Sequence, residues 1–530
     1  MRIRRRLGLA VAVAFFIGCA GRAGGPSSFV PPQPSLQAPF AREGNVNELP
    51  EPPIVHAVHG VARFSLIANL NPATGLPSFQ YRGMHGIAPT IDINPGEAFE
   101  IDLTDELPPS TGMASLVNLH FHGLTVSPHK PGDDVLTMEA KPGETLHYVV
   151  HVPKNQESGL YWYHTHIHGE VSYQTGEGGM SGAIVIEGLT RHLPELAKMR
   201  QRLIIVRATG IGVNVRQSDD SDDMSGTSDA PGNDAMRPAF TNTHPCTFKD
   251  GLTVTLNGAY RPDITIAPGE KQFFRVVNAT GHKTLRLNLE GETVEVVAID
   301  GFALDSYPGT PPTLTERSVI MPPASRAEFV VTGPASGRAR FRTLCYNTGP
   351  DGDADPYIVL AHVVAPKHAS TGGDFSNRPL AVGSPLPQNV YTTALPPPAA
   401  KRLVILTENS KPKFFINGKA YSPSAPPMFV VRTGTVEEWR VLNDTYEIHD
   451  FHIHQIHFLI ESVNGVKQTP LHWADSFIVP HRSAVGKNGV PGSVVLLMDF
   501  RDPIIRGEFV FHCHIADHED EGMMAKIEAI

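Results

Sequence analysis

Three stretches of the chain repeat one arrangement of apolar and polar positions: IDINPGEAFEIDLTD from residue 91, ITIAPGEKQFFRVVN from 264 and FVVRTGTVEEWRVLN from 429. Aligned on Gly96, Gly269 and Gly434, each has apolar residues five and three positions before the glycine and five and seven after it, with Asp or Asn nine after. Apolar residues two apart lie on one face of a strand, so each stretch predicts a strand, a turn and a second strand with one buried side. The glycines are 173 and 165 residues apart. That period is the size of a β-domain and far above that of a solenoid unit, so the chain is expected to be a series of three β-sandwiches.

Length and composition agree with an all-β architecture. At 530 residues the chain exceeds one ordinary core and suits three or four domains at roughly 150 residues each. Charged residues are only 18%, with 48 Gly and 47 Pro, which favours short strands and many turns over helical bundles. Boundaries are expected near 190–200 and 366–400, the second in the Pro-rich run PLPQNVYTTALPPPAA. The expected division is 54–190, 200–366 and 400–530. A net charge of -10 argues against a nucleic-acid partner.

The start, MRIRRRLGLAVAVAFFIGC, has four arginines, then an apolar run from Leu7 to Gly18, too short to span a bilayer, and is expected to be a secretory signal over residues 1–19. FIGC resembles the lipobox of bacterial lipoproteins, so Cys19 is expected to carry a lipid anchor, although Phe16 stands where leucine is usual. The Arg4-Arg5-Arg6 run also fits a twin-arginine signal. Residues 20–53, rich in Pro, Gly and Ala, are expected to be a tether. The folded part is thus expected outside the cytoplasm, in the periplasm or cell envelope, where disulfides persist. A Cys246–Cys345 bond and two buried thiols are both open on sequence grounds. SDDSDDMSGTSDAPGNDAM at 218–236 carries six aspartates and no basic residue. It reads as a solvated loop, with cation collection involving Met224 and Met236 as the sharper alternative.

Chemistry concentrates in four histidine motifs: NLHFHGL (His120, His122), YWYHTHIHG (His164, His166), HDFHIHQIHF (His449, His452, His454) and HCHIADHEDEGMM (His512, Cys513, His514, His518, Met523). The two imidazoles of an H-x-H pair share a strand face, about 6.6–6.8 Å apart at backbone level, and so converge on adjacent metals. One such pair alone is usually ordinary surface or core; four, with a cysteine inserted in the last, are not. In HCH the same alternation turns Cys513 to one face and His512 and His514 to the other. A thiolate, an imidazole and a weak thioether are ligands of a trigonal blue-copper centre, and Cys513, His518 and Met523 supply them. Parity in HDFHIH puts His452 and His454 on one face and His449 on the other, which makes His449 the fourth ligand. His168, His457, His472 and His481 break the spacing and read as structural or supporting residues.

With these motifs in hand, the chain from about residue 50 onward resembles the three-domain multicopper oxidases, a family that includes laccases, ascorbate oxidase, bilirubin oxidase and cuprous oxidases. The resemblance implies cupredoxin-like Greek-key sandwiches and four copper ions. It implies a type 1 copper on His449, Cys513, His518 and Met523, a type 2 copper on His120 and His452, and a type 3 pair on His122, His164, His166, His454, His512 and His514. HFHG replaces the HWHG of many members, and HDFH replaces HPFH. The implied reaction takes single electrons from a reductant and passes four to dioxygen, giving water. Its four protons require nearby carboxylates; by motif position these are Glu519 and Asp133, with Asp134 competing for the second role. The reductant is expected to be a phenol or aromatic amine, since the 13 methionines form no methionine-rich run. Cu(I), Fe(II) or Mn(II) is the alternative.

Overall fold

In the computed structural model, the described residues are 47–109, 115–209, 252–353, 355–366, 390–409, 413–483 and 489–530. The signal, Cys19, most of the tether, the Asp-rich stretch and Cys246 lie outside them. Cys513 is free and Cys345 is disulfide-bonded, its partner lying outside the described residues.

The described residues are nearly all β, and their six sheets fall into three face-to-face pairs. Strands between Ile54 and Ile186 form two five-stranded sheets; those between Arg200 and Val364, and again between Ala400 and Ala529, form a seven-stranded and a five-stranded sheet. Each pair encloses its own apolar core.

The repeated stretches explain the pairing. Thr90–Ile93 and Ala98–Asp105 flank Gly96, Asp263–Thr265 and Lys271–Asn278 flank Gly269, and Phe429–Val431 and Thr435–Asn443 flank Gly434. All three glycines have positive φ, at 89°, 74° and 81°, a conformation that side chains resist. The two strands of each unit belong to opposite sheets, so the turn carries the chain across the sandwich. Periodicity alone does not distinguish this crossing from a hairpin. The repeated apolar positions are core residues, among them Ile91, Ile101, Ile264, Phe274, Val431 and Trp439. The Asn that closes the second and third repeats satisfies turn carbonyls: Asn278 donates to Lys283, Met321 and Pro322, and Asn443 to Glu447 and Val479.

No helix among the described residues is long and apolar enough to cross a membrane. The α-helix that matters is Ala516–Asp520, just after the HCH tripeptide. Its Asp520 carboxylate accepts hydrogen bonds from the Gly169, Val171 and Ser172 N–H groups and from Ser172 Oγ, at 2.6–3.1 Å. The helix thereby holds the loop that follows His166 and His168.

Candidate metal centre

Strand His120–His122 pairs antiparallel with Gly159–His164, placing His120 opposite His164 and His122 opposite Trp162. Phe121 and Tyr163 then face the core. In the last sheet Phe451 lies opposite Cys513 and His452 opposite His512. Alternation therefore sends His449, Phe451 and Cys513 into the sandwich core and His452 and His512 toward the first pair of sheets. Two sites result, back to back across one strand.

The first site lies inside the third sandwich. Cys513 Sγ is 3.7 Å from both His449 Nδ1 and His518 Nδ1, and the two nitrogens are 3.0 Å apart. A metal bonded at about 2.0 Å to nitrogen and 2.3 Å to sulfur fits inside that triangle. The far ring nitrogens are held from outside: His449 Nε2 lies 3.0 Å from Thr445 Oγ1, and His518 Nε2 lies 3.5 Å from Glu447 Oε2. Such outer partners orient a ligand ring. Met523 is buried in the same core cluster as Cys513, and its carbonyl accepts the Cys513 N–H at 3.0 Å. Burial pushes the Cys513 thiol up and His518 down to about 3.

The second site gathers the other eight histidines, His120, His122, His164, His166, His452, His454, His512 and His514, all no more than 3% exposed. His120 stacks on His454 with centroids 3.6 Å apart, and His122 on His452 at 3.9 Å. His512 Nε2 lies 3.3 Å from both His166 Nε2 and His454 Nε2. Burial, reinforced for most of them by the neighbouring imidazoles, lowers their affinity for protons, to about 4 for His122, His166 and His512. The rings are therefore neutral near pH 7, each with a lone pair to offer. Yet His120 Nε2, His122 Nδ1, His164 Nε2, His452 Nε2, His454 Nδ1 and both His514 nitrogens are buried without a hydrogen-bond partner. Unpaired buried nitrogens carry a desolvation cost that a bound metal removes, so this donor set fits borderline cations such as copper.

Carboxylates fix the rings. Asp133 Oδ2 is 3.0 Å from His120 Nδ1; the same carboxylate accepts the Phe121 N–H at 3.0 Å and Gln455 Nε2 at 2.6 Å. Asp133 thus directs His120 Nε2 into the cluster, and burial lifts its carboxyl to about 7. Asp134 instead caps its own turn through Leu136, Thr137 and the Thr137 hydroxyl. Glu519 Oε2 lies 3.0 Å from His512 Nδ1 and Oε1 lies 3.4 Å from His166 Nε2. Burial raises Glu519 to about 7 as well. His518 and Glu519 are consecutive on the short helix, about 100° apart around its axis, so one serves each site.

Sequence reading missed Asp475 and Arg326. Fully buried Asp475 is 3.2 Å from His122 Nε2 and 3.3 Å from His457 Nε2, and its carbonyl is 2.7 Å from His452 Nδ1. Arg326, from the second pair of sheets, grips it with two hydrogen bonds of 2.8 and 2.6 Å. Burial alone would raise the Asp475 carboxyl, but Arg326 and His122 outweigh it and hold it well below the usual range. The only sequence trace of this pair is Gly123: a Cβ there would meet Arg326 at 2.3 Å and Asp475 at 2.6 Å. The other off-motif histidines lie outside the cluster; His168 meets the Tyr421 ring edge to face and His481 bonds the Arg482 carbonyl.

Three sandwiches with a Cys-His₂ triangle backing onto an eight-imidazole cluster define a copper-dependent oxidoreductase. Two multicopper oxidase family models match the chain, over residues 80–190 and 394–529. A multicopper oxidase of Staphylococcus haemolyticus is 24% identical over 83% of this chain and 82% of its own length. A laccase of Bacillus subtilis is 24% identical over 72% of each. Among solved structures, a multicopper oxidase from Campylobacter jejuni described as a metallo-oxidase superposes with TM-score 0.64 at 21% identity, covering 91% of this chain and 95% of that one. A laccase-like multicopper oxidase from Ochrobactrum gives 0.61 at 19%, covering 91% and 100%. The chain belongs to the multicopper oxidase family: it is a copper enzyme that oxidises a reductant with oxygen as acceptor, and its sandwiches are cupredoxin-like.

Proposed function

We propose that the chain binds four coppers and oxidises phenols or aromatic amines in the manner of a laccase. In this reading His449, Cys513, His518 and Met523 hold the type 1 copper, His120 and His452 the type 2 copper, and His122, His164, His166, His454, His512 and His514 the type 3 pair. Bound copper would supply one-electron acceptance at the thiolate site and four-electron delivery to dioxygen at the imidazole site. Cys513 is bonded through the backbone to His512 and His514, so ligands of both sites are joined covalently, and that juxtaposition carries the proposal. His518, 8% exposed, is the least buried of the proposed ligands and marks the edge where a reductant docks, beside Phe414 stacked on it at 4.1 Å.

A second reading, oxidation of Cu(I), Fe(II) or Mn(II), is favoured by the acidic groups near that edge. Glu447 lies 3.5 Å from His518, and Glu408, Asp351 and Asp353 are close enough to oppose its ionisation. Steady-state oxygen uptake with phenols, Cu(I), Fe(II) and Mn(II), repeated on Glu447→Gln, separates the two readings. Phenol turnover that survives the substitution supports the laccase-like assignment. Turnover confined to metal ions and lost with Glu447 replaces it.

Oxygen reduction also consumes protons, and Glu519, buried against His512 and His166, is positioned to hold one. An amide of the same shape does not relay protons. General acid assistance is worth roughly 100- to 10,000-fold, so Glu519→Gln is expected to slow reoxidation by at least about tenfold with copper content and type 1 reduction unchanged. Stopped-flow reoxidation at the normal rate would return the proton role to Asp133. Export with a lipid on Cys19 completes the proposal; a mature chain beginning after Cys19 in mass spectrometry would reject it.

A further inference from the structure

The HDFH motif differs from HPFH at one position, and that position touches the cysteine. The Asp450 N–H donates to Cys513 Sγ at 3.4 Å, and the Ile515 N–H is a second donor to the same sulfur. The Asp450 carbonyl serves the sheet, accepting the His514 N–H at 2.7 Å. A proline at 450 would keep that carbonyl and delete the donor to sulfur, because proline has no N–H. The Asp450 carboxyl is buried and lies near Asp300 and Asp475.

Hydrogen bonds to a ligating thiolate draw charge away from its bond to the metal, which favours the reduced ion; bonding around the cysteine sulfur is a recognised control on such sites. We propose that Asp450 is a positioning residue that sets the type 1 reduction potential through its backbone N–H, holding it above the value the same site would have with proline. The inference rests on the type 1 assignment above. It also tells which reductants the enzyme accepts, since a more oxidising site takes electrons from weaker donors.

The test is a redox titration of the blue band in the purified, copper-loaded full chain and in Asp450→Asn, Asp450→Ala and Asp450→Pro. Asparagine and alanine keep the N–H and are expected to leave the potential near that of the parent. Proline is expected to shift the reduction equilibrium two- to tenfold toward the oxidised form. That is about 20–60 mV at 59 mV per tenfold for one electron, the scale of one net hydrogen bond. Equal shifts in the alanine and proline variants would assign the effect to the carboxyl and overturn the inference. An unshifted proline variant would do the same. If the proline variant does not fold, pulsed EPR of ¹⁵N-aspartate-labelled parent protein decides: coupling of the type 1 spin to the Asp450 nitrogen supports the bond and its absence refutes it. A parent chain with no blue band removes the type 1 assignment itself, an outcome distinct from a blue protein whose potential ignores residue 450.

Discussion

Replacing Cys513 by serine is expected to abolish the intense blue absorption and lower oxidase turnover by more than about 100-fold, the upper end for loss of an outer-shell partner alone. Sγ forms one corner of the triangle with His449 and His518, and a hydroxyl is a poor substitute for a soft thiolate. The backbone at 513 is unchanged by the substitution, so the Cys513 N–H bond to the Met523 carbonyl and the strand pairing of His452 with His512 should persist. The eight-histidine cluster is therefore expected to keep its copper. Copper analysis and absorption spectroscopy of the variant check both halves. Retained blue colour would remove Cys513 from the acceptor site, and loss of all copper would show that the two sites do not load independently.

Arg326→Leu is expected to destabilise the protein by about 3–5 kcal/mol, the usual cost of removing one partner of a buried ion pair. Arg326 and Asp475 are both fully buried, and Asp475 without its guanidinium is a buried charge facing His122 and His457. Because the pair joins the second and third sheet pairs next to a histidine of the first, the cluster should also lose copper while the blue band stays. Adding Asp475→Asn removes the stranded charge and should recover much of the lost stability. Unfolding midpoints and copper content of the single and double variants measure this. A single variant of normal stability and copper content would show that the second sandwich does not brace the cluster.

How legible this was from sequence varied with the range of the contacts. The repeated Gly96, Gly269 and Gly434 units are local, so alternation and a positive-φ turn were readable, although the crossing between sheets was not. The H-x-H pairs and the HCH tripeptide were readable because strand alternation alone decides which face each side chain takes. The role of Asp133 was only half legible. Its position after HFHG marked it as a cluster carboxylate, but its partner Gln455, which donates to it at 2.6 Å from 322 residues away in sequence, was not readable. Asp475 and Arg326, separated by 149 residues, lie in no motif; nothing short of the packed fold brings them to His122. The contact of Asp450 with Cys513 was not readable from HDFH, because the bond belongs to its backbone and not to its side chain.

The central claim, one thiolate copper wired to a histidine-bound cluster, is tested most directly by the copper content of the purified full-length chain. The proposed assignment, one copper at the thiolate site and three at the imidazole cluster, predicts about four copper ions per chain. A chain that carries a single copper, or zinc in its place, after loading with copper under reducing conditions would contradict it.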